Sequence, residues 1–147
     1  MSVTYEWRGG FTNREVNALH AEAFSTKVFD ESEWNWAELV RRHSLGWVVA
    51  RDGSELVGFV NVLWDGLVHA WLQDTMVAAA ARGRGIGTRL VDHARRGAKA
   101  AGCEYLHVAA PSRRCASTHH RSWTAVPHRP DTAAARRSRG RWPRGTG

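Results

Sequence analysis

No stretch of the 147 residues approaches the roughly 20 consecutive apolar residues that span a bilayer, and the N-terminal MSVTYEWRGG lacks both the basic and the apolar parts of an export signal. Membrane insertion and export are not expected; a soluble, cytoplasmic chain is. Cysteine is nearly absent. Cys103 and Cys115 stand at no spacing that zinc or a redox pair would use, so neither a disulfide framework nor a metal cage is expected. Tyrosine is equally scarce, with Tyr5 and Tyr105 only, and all four prolines lie beyond residue 108.

The sharpest lack is at the C-terminal end. Residues 109–147 contain no Leu, Ile, Phe, Tyr or Met and a single Val, but nine Arg. That composition has too little apolar surface to offset the entropy of ordering, so it reads as an Arg/Pro/Ala-rich disordered tail behind a single domain over residues 1–108. The net charge of +7 is concentrated there: residues 1–108 hold 12 Lys and Arg against 13 Asp and Glu, and the tail has one acid, Asp131. Nucleic-acid binding is therefore expected only nonspecifically, through Arg136, Arg137, Arg139, Arg141 and Arg144. Cys115, His119, His120 and His128 fit no standard metal spacing.

What is present in residues 1–108 is patterned. Val3 to Trp7 alternates like a half-buried strand and stops at Gly9-Gly10. Thr12 with Glu15 forms a capping-box pattern, and Val16, Leu19, Ala23 and Phe24 share a helical face, predicting a helix over 12–24. A second helix is expected over 33–45, started near Ser32, with Trp36, Leu39 and Val40 inward and Gly46 at its end. Three runs rich in β-branched and aromatic residues follow, separated by Asp52-Gly53 and Asp65-Gly66, the pattern of an antiparallel meander. Its last strand, about 68–77, leads into an Arg/Gly loop and a helix over 86–101 with Leu90, Ala94, Ala98 and Ala101 on one face and Gly102 as cap. A strand over 104–108 follows, at a crossover length suited to parallel or splayed pairing.

The loop Arg82-Gly83-Arg84-Gly85-Ile86-Gly87 lies between a strand and a helix, where backbone N–H groups and the helix N-terminus converge on one point suited to a pyrophosphate. Gly85 and Gly87 remove the β-carbons that would hold the anion off the backbone. Arg82 and Arg84 supply charge-assisted contacts, and Thr88 adds a hydroxyl. No Lys-Ser/Thr pair follows, so it is not a Walker loop. Arginines stand where a dinucleotide-binding G-x-G-x-x-G would need glycine.

The segment resembles the R/Q-x-x-G-x-G/A signature of the GNAT superfamily of acyl-CoA-dependent N-acetyltransferases, here R-G-R-G-I-G continued by T-R-L-V. Residues 1 to about 108 follow the family's order of elements. The resemblance implies an α/β fold of the α+β sandwich type, a mixed, mostly antiparallel sheet flanked by helices. It also implies acetyl-CoA as co-substrate, held by Met76, Val77, Arg82, Gly83, Arg84, Gly85, Ile86, Gly87 and Thr88, with the strand from Leu72 to Val77 pairing with the pantetheine arm. The implied reaction is direct attack of a small-molecule or peptidyl amine on the thioester, which needs a group to deprotonate an ammonium of pKa about 10. Asp74 is the only acid on that strand and takes this role. The alternative reading is a carboxylate that orders the strand end. Other members carry a Glu three positions earlier, where this chain has Trp71; His69 is a weaker candidate.

Trp34 and Trp36 fall where the family lines its acceptor site, with core packing as the competing role for Trp36 and Trp47. Asp30, Glu31, Glu33 and Glu38 could draw a cationic amine to the same region or simply solvate a helix start. Past its fifth strand the family continues with a helix bearing an Asn and a proton-donating Tyr, then two further strands. The sequence after Val108 has no such pattern, which leaves the last strand as an edge open to association, including a homodimer. The change is read as a frameshift near residue 109 in a GC-rich gene, with a genuine arginine-rich arm as the rival reading. An unbroken frame encoding the same 39 residues in independent isolates refutes the frameshift. The expected alternatives to an active transferase are a remnant that keeps its coenzyme A contacts without turnover, and an Arg-tail nucleic-acid binder on a vestigial domain.

Overall fold

The computed structural model describes residues 2–108. Five strands, β1 (Val3–Trp7), β2 (Ser44–Asp52), β3 (Glu55–Trp64), β4 (His69–Val77) and β5 (Tyr105–Val108), form one sheet in the order β1-β2-β3-β4-β5. Neighbours run antiparallel except β4 and β5, which are parallel. Three helices flank it: α1 (Asn13–Phe24), α2 (Trp36–His43) and α3 (Ile86–Ala100). This is the mixed, mostly antiparallel α/β architecture that the resemblance implies.

Alternation along β3 separates the two layers. A β-carbon on Gly58 would lie 3.0 Å from Leu90 Cδ1 and 3.2 Å from Ile86 Cγ2, so this face takes α3 at close range. The next residue, Phe59, faces the other way and packs edge-on against Phe11 and Trp36, with ring centroids 5.5 and 5.8 Å away. Phe59, Trp36, Leu90, Val48 and Val60 are all fully buried, each large side chain contributing about 1.5–3 kcal/mol by leaving water.

The first helix forms as its cap predicts: Thr12 Oγ1 accepts from the Glu15 N–H at 3.2 Å, and Glu15 Oε2 accepts from the Thr12 N–H at 2.8 Å. Its inward face differs from the expected one: Ala23 is only partly buried, and Asn13, Asn17 and Ala21 are buried beside Val16 and Leu19. Phe24 is 46% exposed, and His20, a turn after Val16, is buried instead.

The second helix is shorter than the sequence pattern suggests. Asp30 Oδ1 accepts from the N–H groups of Ser32 and Glu33 at 2.8 and 3.1 Å, a local turn that competes with helix. Helix therefore begins at Trp36, capped by Asn35, whose Oδ1 accepts from the Glu38 N–H at 2.9 Å. It ends at His43 because Ser44 already belongs to β2. Gly46 is no helix cap: it sits in β2 against Trp7, where an added β-carbon would lie 2.2 Å from Cζ2 of the indole. Ala101, expected on the inner face of α3, is exposed just past the helix end.

Candidate active site

The end of β4 sets the geometry. Paired residues of β3 and β4 jump from Phe59↔Met76 to Asn61↔Gln73, so β4 carries a bulge there. Asp74 lies in it with φ 53, a left-handed conformation uncommon for a residue other than glycine. On the other edge, β5 covers β4 only from His69 to Leu72. Among the described residues no strand pairs with that edge from Gln73 to Val77, so the two parallel strands open into a fork at the bulge.

The tip of the fork meets the glycine loop. After a 3-10 turn at Ala79–Ala81, Gly83 and Gly85 take φ of 77 and 75, and Gly85 is the N-cap residue of α3. Non-glycine residues adopt such a backbone only at a cost. A cavity of about 320 Å³ opens here, lined by Val77, Ala81 and the residues from Arg82 to Thr88 other than Arg84. Unlike α1 and α2, α3 has no side chain hydrogen-bonded at its N-cap. Its first N–H groups and dipole are thus left for an anion, which fits the pyrophosphate that the sequence motif suggests.

Each expected site residue has a definite place. Met76 is fully buried beside Phe59. Arg82 lines the cavity and its Nε donates to the Val77 carbonyl at 3.3 Å. The Arg84 side chain turns to the β2–β3 hairpin, with Nη1 2.8 Å from Asp52 Oδ2. Trp36 is fully buried and its Nε1 donates to Asn17 Oδ1 at 2.7 Å, so it serves the core and offers no face to a substrate. Trp34 is half-buried, stacked on Trp36 at 5.7 Å and close to Phe29 at 4.9 Å. His69 Nδ1 lies 2.8 Å from His107 Nε2, within a stack that includes Tyr105 and Trp71.

The acids near Trp34 are engaged locally. Glu31 accepts from Asn13 Nδ2, Glu33 pairs with Lys27, and Glu38 pairs with Arg41 and Arg42.

Asp74 and His20 form the titratable centre. Burial raises the Asp74 carboxyl above its ordinary range, and the charge of nearby His20 partly opposes this. Burial lowers the His20 imidazole, with Asp74 working the other way. His20 is enclosed by Phe24, Trp34, Trp36 and Phe29 at ring distances of 4.8, 5.1, 5.7 and 6.1 Å, and its Nδ1 lies 3.4 Å from Thr26 Oγ1. The sequence pattern left His20 out; its place one turn after Val16 and next to Leu19 was the available signal. No group of three or more His, Cys, Asp or Glu is placed to hold a metal among the described residues. The Cys115, His119, His120 and His128 set, and the tail itself, lie outside them. Among the described residues no helix is long and apolar enough to cross a membrane.

Residues 13–121 match the Acetyltransferase (GNAT) family. The chain belongs to the GNAT acetyltransferase family. Solved GNAT structures superpose on it in agreement. A GNAT family acetyltransferase from Streptococcus pneumoniae TIGR4 has a TM-score of 0.59 at 22% identity, over 76% of this chain and 78% of that one. A GNAT acetyltransferase from Brucella melitensis, solved with acetyl-CoA, has a TM-score of 0.59 at 16% identity, over 76% and 78%. An aminoglycoside 6′-N-acetyltransferase complexed with coenzyme A has a TM-score of 0.61 at 23% identity, over 74% of this chain and 61% of its own length. No curated protein matches the sequence. The GNAT match runs past Val108 to residue 121, beyond the described strands.

Proposed function

We propose that this GNAT chain binds acetyl-CoA and transfers its acetyl group to the amine of a small molecule or peptide. The observation that carries the reading is the bare N-terminus of α3, opened by two left-handed glycines, at the tip of the β4–β5 fork. Backbone N–H groups from Arg82 to Thr88 would hold the pyrophosphate, Arg82 and the Thr88 hydroxyl adding contacts, while the open edge of β4 at Met76 and Val77 pairs with the pantetheine arm.

Asp74 acts as the base. Its pKa, raised by burial, brings its proton affinity closer to that of the amine it must deprotonate. The freed lone pair attacks the thioester carbonyl carbon, the C–N bond forms as the C–S bond breaks, the remaining extra N–H proton passes to solvent, and the thiolate leaves with a proton from solvent. Trp34, half-buried, is the candidate contact for the acceptor.

Calorimetric titration with acetyl-CoA, paired with thiol release across an amine panel, tests the proposal. Binding with turnover supports it. The composition of residues 109–147 favours a second reading, a remnant that binds coenzyme A without acetylating; binding without turnover supports that one. Absence of binding removes both.

A further inference from the structure

The loop tip needs something to hold it. An ideal β-carbon on Gly83 or Gly85 would find no heavy atom within 4 Å, so the side-chain side of both left-handed residues is open space. Among the described residues, two side-chain hydrogen bonds anchor the stretch from Arg82 to Gly85. One is the long contact from Arg82 Nε to the Val77 carbonyl, 3.3 Å. The other is the charge-assisted contact from Arg84 Nη1 to Asp52 Oδ2, 2.8 Å.

Asp52 is well placed to bear load. It ends β2, a strand paired on both sides, opposite Val3 of β1 and Glu55 of β3. Its neighbour Arg51 ties the same hairpin to α1, donating to the Glu15 carboxylate, the Gly10 carbonyl and the Ser54 carbonyl. The second carboxylate oxygen of Asp52, Oδ1, is buried with no hydrogen-bond partner, an arrangement that stability alone disfavours. Arg84 is the one cation paired with it among the described residues, and the Arg84 side chain is 44% exposed, so its tie is electrostatic more than packed.

We propose that Asp52 is a positioning residue for the phosphate loop: by holding the Arg84 side chain against the β2–β3 hairpin, it fixes the Gly83–Gly85 backbone in its anion-binding form before the co-substrate arrives. Arg84 then serves the cradle through its backbone and as a strut, its guanidinium directed away from the phosphates. The inference rests on the coenzyme A reading for its consequence, though the loop's rigidity can be read without any ligand.

The sign of one measurement separates this from the simpler idea that Arg84 is a phosphate ligand restrained by Asp52. If Asp52 positions the loop, D52N weakens coenzyme A binding about three- to fivefold, the modest size expected of a partly exposed pair. R84M weakens it by a similar factor, and the double variant is no worse than either alone. If Asp52 merely restrains a ligand, D52N tightens binding and R84M alone weakens it. Tightening, or no change in either single variant, overturns the proposal. Amide relaxation of Gly83 and Gly85 in the ligand-free protein gives the independent readout: faster local motion in D52N is expected, and unchanged motion refutes the strut. This arm still decides if the wild-type chain binds no coenzyme A, an outcome that would instead remove the function proposed above. Where D52N also lowers the melting temperature, amide relaxation of Gly83 and Gly85 in R84M reads the same contact, with faster local motion expected and unchanged motion refuting the strut.

Discussion

The N-termini of α1 and α3 are built in opposite ways. At α1, Thr12 and Glu15 satisfy each other's backbone N–H groups, and Arg51 adds a bridge to Glu15 at 2.9 Å. At α3, Gly85 occupies the cap position, no side chain closes it, and the loop in front is tied to the β2–β3 hairpin through the Arg84–Asp52 pair. A helix start that spends its own side chains on its orphan donors is finished structure. One that leaves them open, between glycines and beside a cavity, is set up for a ligand.

Four substitutions break or sharpen this contrast, taken from the largest expected effect to the smallest. Asp74→Asn should lower acetyl transfer on the order of 100-fold while leaving the Kd for acetyl-CoA within about twofold, because it removes the proposed base and not the proposed cradle. The pH profile carries the sign. A base must be ionised, so kcat/KM falls as pH drops through the Asp74 pKa, and burial moves that limb above the ordinary carboxylate range. Retained transfer in the Asn variant would reassign Asp74 to ordering the strand end.

Next in size is Gly85→Val, which forces a β-branched residue to φ 75 and should cost about 30-fold in coenzyme A affinity by calorimetry. Thr12→Val, at the closed helix start, should cost about 1 kcal/mol of folding stability by denaturant titration and nothing in coenzyme A affinity. If the two variants show the same balance of stability and affinity losses, the contrast between the helix starts fails. Thr88→Ala should weaken coenzyme A binding only about two- to threefold, through loss of one exposed hydroxyl contact.

Acid sharpens the same contrast from the α1 side. The Arg51 hydrogen bond is the main cause that holds the Glu15 carboxyl down at about 2, against an ordinary 4.5. A depressed folded-state pKa contributes stability that is present above pH 4.5 and lost as pH falls from there toward about 2. Arg51→Met should therefore flatten the loss of stability across that window. His20, lowered by burial, adds a separate loss as pH falls below 6.5, where the unfolded imidazole takes a proton that the folded one resists.

Much of the fold was legible because local patterns agree with the tertiary structure. The capping box, the two Asp-Gly turns and the Leu90, Ala94 and Ala98 stripe all sit where short-range physics puts them. The start of α2 was misplaced because Asp30 satisfies the N–H groups of Ser32 and Glu33 in a turn, a choice that hydrophobic spacing does not reveal. Gly46 was misread because its reason for being glycine is Trp7, 39 residues earlier in sequence and in van der Waals contact in space.

What the sequence determined by itself is the loop's shape: R-G-R-G-I-G between a strand and a helix places glycine where the backbone turns left-handed, at Gly83 and Gly85. What only the tertiary structure decided is the company it keeps. The bulge that brings Asp74 to the fork beside His20, the burial that shifts both groups in opposite directions, and the Asp52 that takes Arg84 depend on contacts between residues 12 to 54 positions apart. Burial and charge pairing are properties of neighbours in space, and no local pattern specifies them.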